Sequence, residues 1–236
     1  MRLSYVTVCV DYLDLLKVAH HHNLAQFDDY IVVTHPRDTE TVAWTQAHKE
    51  VTPVYTDAFY RNGARFNKGL ALSEGLNALR ATLAEQGATP EWVALMDADT
   101  FVPPDWREQL KRANLDREWM YGARRVLLPT WADYERLWTD DLDSFACPMG
   151  HSFGWLQLFH WESAAFQSRL ATGEPYPQGN DCTEVDWRFR DAWGGWEVPY
   201  TVPRGKLAEL PFRVFNLGKD GENHFGRVSA PFVPPS

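Results

Sequence analysis

The chain has 236 residues, of which 44% are hydrophobic and 23% charged. These are the proportions of a globular domain with enough apolar side chain for a core, and they exclude disorder and collagen-like repeats. A formal net charge of −9 argues against broad affinity for polyanions, and the apolar runs, such as 30–33 and 92–96, fall far short of the roughly 20 residues that span a bilayer. Asp11 and Asp14 interrupt any leader-like start, so a soluble cytoplasmic protein is expected. Cys9, Cys147 and Cys182 show neither disulfide nor metal-ligand spacing and read as buried thiols.

In chain order, the β-branched run 4–10 predicts a strand buried on both faces, 14–25 a helix, and 30–34 a second strand that stops at His35-Pro36. A helix over 39–48, a strand over 51–55 and a loop over 56–65 follow. Residues 67–85 predict a longer helix, with Leu70, Leu72, Leu76 and Leu79 as its apolar stripe and Gly87 and Pro90 beyond its end. The strand predicted over 92–96 runs directly into Asp97-Ala98-Asp99. Strands alternating with helices predict a mainly parallel α/β sheet, in which ligands bind at the carboxyl ends of the strands. Asp11, Tyr12, Thr34, His35, Asp57, Asp97 and Asp99 all fall at such ends. From Pro103 the alternation weakens, but no linker or low-complexity stretch intervenes. Residues 1–236 therefore read as one domain, with a nucleotide-binding half over 1–102 and an extension over 103–236.

Two carboxylates separated by one small residue at a strand end reach one hard divalent cation and leave positions for phosphate oxygens. The plain alternative is a turn, which favours aspartate for backbone reasons. Eleven tryptophans are the unusual feature of the composition. Each reads first as core packing, with stacking against a sugar or base as the other use. His20-His21-His22 occupies consecutive helical positions that point in different directions, and reads as surface. Walker loops, Gly-x-Gly-x-x-Gly and a Ser-His-Asp order are all missing, which sets aside hydrolase and dinucleotide readings.

With these residues in view, the chain resembles nucleotide-sugar glycosyltransferases of the GT-A fold, near the family 2 and galactosyltransferase-like groups and small phage and bacterial relatives. Phe66-Asn67-Lys68-Gly69 opens a helix ahead of the Asp-x-Asp strand, and Gly154-Trp155-Leu156-Gln157-Leu158-Phe159 resembles the Gly-rich strand facing the donor sugar. Thr183-Glu184-Val185-Asp186-Trp187-Arg188-Phe189-Arg190 resembles a Glu-Asp-x-Asp-Leu-x-x-Arg segment. Val214-Phe215-Asn216-Leu217-Gly218 and Gly221-Glu222-Asn223-His224-Phe225-Gly226-Arg227 resemble a C-terminal His-Leu and Asn-Trp-x-Gly-Arg pattern.

The resemblance implies an α/β, Rossmann-like GT-A sheet flanked by helices, with a C-terminal acceptor-side extension. It implies Mn²⁺ or Mg²⁺ held by Asp97 and Asp99 against the diphosphate of a nucleotide-sugar, a UDP-sugar in the first instance. Glu184 falls at the catalytic carboxylate, where aspartate is usual, with Asp181 and Asp186 as rivals. Trp155 and Gln157 would shape the sugar pocket, Arg65 and Lys68 would face the diphosphate, and Asp11, Tyr12, Thr34, His35 and Asp57 would line the nucleoside pocket. Asn216 stands where a histidine is expected as third metal ligand, and His224 where the relatives have tryptophan; either would complete the site. The acceptor would be a glycan, a lipid-linked sugar or a hydroxymethylated base in phage DNA, with Arg188, Arg190, Arg204, Lys206 and Arg213 offering a positive strip. Two other readings stay open: a non-catalytic nucleotide- or glycan-binding module, and a nucleotidyltransferase. The latter would be expected to carry a Gly-rich triphosphate loop where Val10-Asp11-Tyr12-Leu13 stands.

Overall fold

A computed structural model describes the chain except for residues 148–153, 181, 183, 195, 198–201, 204, 220–228 and 235–236. Its first part runs β1 (Leu3–Val8), α1 (Leu13–Asn23), β2 (Asp29–Thr34), α2 (Thr39–Ala47), β3 (Thr52–Tyr55), α3 (Lys68–Glu85) and β4 (Trp92–Met96). There follow β5 (Thr100–Phe101), α4 (Trp106–Arg112), β6 (Met120–Leu128), α5 (Trp131–Arg136), β7 (Leu156–His160), α6 (Ala164–Ala171), α7 (Val185–Arg190), β8 (Trp196–Glu197), β9 (Val202–Pro203) and β10 (Leu207–Leu217). Among the described residues, eight strands form one sheet in the order β3-β2-β1-β4-β7-β6-β10-β5, and β8 pairs with β9 apart from it. The run β3-β2-β1-β4 is parallel, β7 lies antiparallel between β4 and β6, β10 is parallel to β6, and β5 closes the far edge antiparallel to β10. This is the helix-flanked α/β sheet expected from the sequence, consistent with a Rossmann-like GT-A or nucleotidyltransferase architecture.

With both faces of the sheet covered, β1 and β4 are buried throughout, and alternate residues go to opposite faces. Leu3, Tyr5, Trp92, Ala94 and Met96 enter one hydrophobic cluster, and Val6, Val8, Val93 and Leu95 enter the other, across the sheet. The first strand ends at Val8, two residues before the expected limit, and Asp11 takes a positive φ of 66°. Helix α3 covers the second face. Its buried side is Lys68, Gly69, Ala71, Leu72, Gly75, Leu76, Leu79 and Leu83, with Leu70 only at the margin. The glycines matter here: a Cβ at Gly75 would lie 2.7 Å from Val33 and 2.8 Å from Val6, and one at Gly69 would lie 1.7 Å from the carbonyl oxygen of Pro177. The helix therefore rests directly on β1 and β2, with the 177–179 turn pressed against its first residues.

Asn67 fixes that start. Its side chain accepts from the N–H of Leu70 at 3.0 Å, an N-cap bond, and from the N–H of Gly179 at 3.3 Å. In β10, Pro211 has no N–H to give, and the pairing with β6 shifts register between Glu209 and Arg213 before resuming to Leu217. Trp92, Trp106, Trp155, Trp161 and Trp193 are buried, as core packing requires, whereas Trp138 is exposed. Among the described residues, no helix is long and apolar enough to cross a membrane.

Candidate active site

The chain leaves β4 in a tight turn, closed by the N–H of Thr100 on the carbonyl of Asp97, so both aspartates stand at the carboxyl end of the parallel strands. Asp97 Oδ1 accepts from Lys68 Nζ at 2.7 Å, and the same ammonium lies 3.1 Å from Asp186 Oδ2. Asp186 Oδ1 accepts from the Tyr176 hydroxyl at 2.5 Å. The Tyr176 oxygen also lies 3.0 Å from Gln157 Oε1, and Gln157 Nε2 donates to the Asp186 carbonyl at 3.3 Å. Helix α3, strand β7, the Pro175-Tyr176-Pro177 turn and helix α7 thus converge on one small pocket.

Burial alone would lower the affinity of Lys68 for its proton, but Asp186 and Asp97 outweigh it and hold the ammonium charged. Burial pushes the Asp186 carboxyl up, against the pull of Lys68. Burial, followed by the charge of Asp186, keeps the Tyr176 phenol protonated well above its ordinary range, so it serves as a donor.

Asp99 has a different shell. Its Oδ1 accepts from Asn216 Nδ2 at 2.9 Å and from Thr100 Oγ1 at 3.3 Å, and its carbonyl accepts from the N–H of Leu217 at 2.8 Å. Burial and the neighbouring Asp97 push its carboxyl up to about 7, against the pull of Arg125. Arg125 Nη1 donates to Asn216 Oδ1 at 3.4 Å, and its guanidinium lies 3.9 Å over the ring of Trp155. The Trp155 indole N–H donates to the carbonyl of Ala123 at 2.8 Å, so Trp155 is a core residue with one side on the pocket.

Two crowded carboxylates form an oxygen donor set that suits a hard divalent cation. Among the described residues, no group of three or more His, Cys, Asp or Glu side chains gathers around one point. Asn216 turns its amide nitrogen, not its oxygen, toward Asp99, and so acts as a hydrogen-bond donor in this arrangement. His224, the other candidate third ligand, and Asp181 lie outside the described residues.

At the ends of β1 and β2 a more open cleft of about 400 Å³ is lined by Asp11, Leu13, Arg37, Glu40 and Pro231 among others. Asp38 builds its floor. One carboxylate oxygen accepts from the N–H of Thr41, capping α2, and the other accepts from the N–H of Asp11 at 2.7 Å, holding that residue in its left-handed conformation. The Arg37 guanidinium lies 3.9 Å over the ring of Tyr60, which also meets the edge of His35. Tyr12 is half-buried, and Thr34 is fully buried with its carbonyl accepting from the N–H of Thr56. Asp57 is exposed and paired with Arg61 at 2.5 Å, and Arg65 is exposed with its backbone N–H on the carbonyl of Asn180.

Glu184 and Asp186 part company. Glu184 is exposed at the start of α7, with no side-chain capping bond, whereas Asp186 points into the Lys68 pocket with both oxygens engaged.

Two expectations are corrected. The histidine run is surface only at His21: His20 is buried against Tyr30, Trp44 and His48, and His22 stacks on Phe101 and bonds Tyr134, because α1 is covered on both flanks. The positive strip is interrupted, since Arg190 is buried beside Asp191, Lys206 pairs with Glu118 and Arg213 with Asp143, while Arg188 is exposed with its guanidinium on the carbonyl of Gln178 and Arg204 lies outside the described residues. Reading the sequence also missed Tyr176 and Asp38. The flanking prolines of Tyr176 and the Asp38-Thr39-Glu40-Thr41 cap pattern were the available signals.

No protein-family model matches the chain, and no curated protein matches it. Among solved structures it is similar to M. tuberculosis glucosyl-3-phosphoglycerate synthase, at 15% identity and a TM-score of 0.49, over 94% of this chain and 73% of that one. It is also similar to 4-diphosphocytidyl-2C-methyl-D-erythritol synthase from Anaerococcus prevotii, at 13% identity and a TM-score of 0.46, over 89% of this chain and 90% of that one. A third is mannose-1-phosphate geranyltransferase from Thermus thermophilus, at 13% identity and a TM-score of 0.41, over 93% and 75%. Likeness at this level assigns no activity to the chain, whose chemistry is read from its own side chains.

Proposed function

We propose that this chain is a metal-dependent glycosyltransferase, moving a sugar from a nucleotide-sugar, a UDP-sugar in the first instance, to an acceptor hydroxyl. The observation that carries the reading is the Asp97/Asp99 pair on the turn after β4, two strands from the cleft at the end of β2. Asp97 and Asp99 would hold Mn²⁺ or Mg²⁺, whose charge offsets that of the departing diphosphate. Lys68 brings a permanent positive charge to the same pocket, while Trp155 and Gln157 shape its wall for the sugar. Asp11 and Arg37 would face the nucleoside, with Tyr12 and Thr34 supporting the loop behind them; Asp57 and Arg65 would reach the donor only from the rim.

The base would be Glu184 rather than Asp186. An exposed carboxylate meets an incoming acceptor, whereas both oxygens of Asp186 are committed to Lys68 and Tyr176. As the acceptor oxygen attacks the anomeric carbon from the face opposite the diphosphate, its proton passes to Glu184 and the breaking bond's electron pair leaves with the diphosphate, inverting the centre. The broken positive strip favours a glycan hydroxyl over a base in DNA, whose phosphates would call for unmatched cations.

Nucleoside diphosphate release from a panel of UDP- and GDP-sugars with Mn²⁺, against EDTA and Asp99→Asn, tests the class. Release that needs the metal and is lost in Asp99→Asn supports it. Pyrophosphate formed from a nucleoside triphosphate and a sugar phosphate would instead establish nucleotidyl transfer. Nucleotide binding that never leads to turnover with any acceptor would establish a binding module. Glu184→Gln should keep donor binding and lose transfer; retained turnover would move the base elsewhere.

A further inference from the structure

The cleft at the ends of β1 and β2 has one wall that does not come from the strand ends. Pro231 lines it together with Leu13 and Asp11. The next residue explains how it stays there. Phe232 is only 8% exposed, and its ring centroid lies 5.6 Å from that of Trp131 and 6.5 Å from that of Tyr134, in a cluster with Leu15 and Ala19 of α1. Its backbone N–H donates to Asp14 Oδ2 at 2.5 Å, a bond between groups 218 residues apart in sequence. A ring in a groove and a backbone bond to the first turn of α1 thus fix one residue from two directions.

Proline suits the position it is given. Its ring holds φ fixed and it has no N–H to leave unpaired against a ligand, so it presents a flat apolar surface. The same cleft is lined by Arg37, whose guanidinium is itself seated on Tyr60. An apolar ring and a planar cation lining one cleft suit a flat heteroaromatic ring, with Asp11 and Glu40 also in the lining.

We propose that Pro231 is a binding residue for the nucleoside of the donor and that Phe232 is its positioning residue, so that the C-terminal segment sets nucleotide affinity. This rests on the nucleotide-sugar reading above. The test is calorimetric binding of UDP and GDP to the full chain and to Pro231→Gly, Phe232→Ala and Phe232→Leu, with thermal unfolding of each. Phe232→Ala should weaken binding of the preferred nucleotide by about tenfold, the scale of one lost anchoring contact, and Phe232→Leu should restore most of it. Pro231→Gly should weaken binding by about threefold while leaving the unfolding temperature unchanged. If Phe232→Ala lowers the unfolding temperature but all three variants bind nucleotide as the natural chain does, the segment merely packs and the proposal is overturned. If the natural chain binds neither nucleotide, the nucleotide-sugar reading itself fails, and this inference falls with it.

Discussion

The Lys68 pocket and the β1–β2 cleft use charge in opposite ways. In the pocket, one ammonium is shared by two carboxylates in a small, partly buried space, and a phenol and an amide complete the shell. In the cleft, Arg37 sits on an aromatic face, Asp38 is spent on backbone N–H groups, and Asp11 and Glu40 stand exposed. Side chains in an ion-paired pocket hold the protein together as well as facing a ligand, because removing one partner strands another in a poor solvent for ions. Those of an open cleft are more exposed and bear less on the packing of the core.

That contrast is most exposed to Lys68→Met. With Asp97 and Asp186 left facing each other, the variant should lose about 3 kcal/mol of stability, measured by urea unfolding, and adding Asp186→Asn should return part of it. A fully stable Lys68→Met protein would erase the difference between the two regions. Tyr176→Phe deletes one donor to a charged acceptor and keeps the ring packed on Phe189; it should cost about 1.5 kcal/mol in the same measurement.

A third region isolates what burial does with no counter-charge at hand. His22, among Phe101, Tyr134 and Trp138, is held down to about 4 by burial and by His21. The folded protein keeps it neutral, whereas the unfolded chain takes up a proton below the ordinary value of 6.5. Stability should therefore fall as pH drops from about 6.5 to about 4 and stop falling below that, by about 1 kcal/mol once solvent screening is allowed for. His22→Leu should flatten that slope in unfolding curves taken across the range. The smallest effect on stability belongs to the cleft: Arg37→Ala should leave the unfolding temperature where it is while weakening nucleotide binding several-fold, about 1 kcal/mol, by calorimetry.

The half of the sheet around β1 and β4 was legible because each strand is short, mostly apolar and stopped by a turn residue. Lys68 was legible as a cation near that pair, but not as the partner of Asp186, which lies 118 residues further along. Nothing in a local window says which distant carboxylate a lysine will meet. The orientation of the Asn216 amide follows from Asp99 on one side and Arg125 on the other, neither of them near it in sequence. The histidine run failed for the same reason: helical geometry separates three directions, but the packing of α1 decides which of them face solvent.

Strand β5 has β10 as its sole partner in the sheet, through Phe101 with Phe215 and Thr100 with Asn216. A nascent chain emerging from the ribosome therefore presents the parallel strands and both aspartates long before β10 can brace the turn that carries them. Only after residue 217 has cleared the exit tunnel can the N–H of Leu217 reach the carbonyl of Asp99. Contacts of such long sequence separation form late. The acidic pair is thus among the last features of the protein to take its final shape during synthesis, and a prematurely terminated product would carry both carboxylates without the order between them.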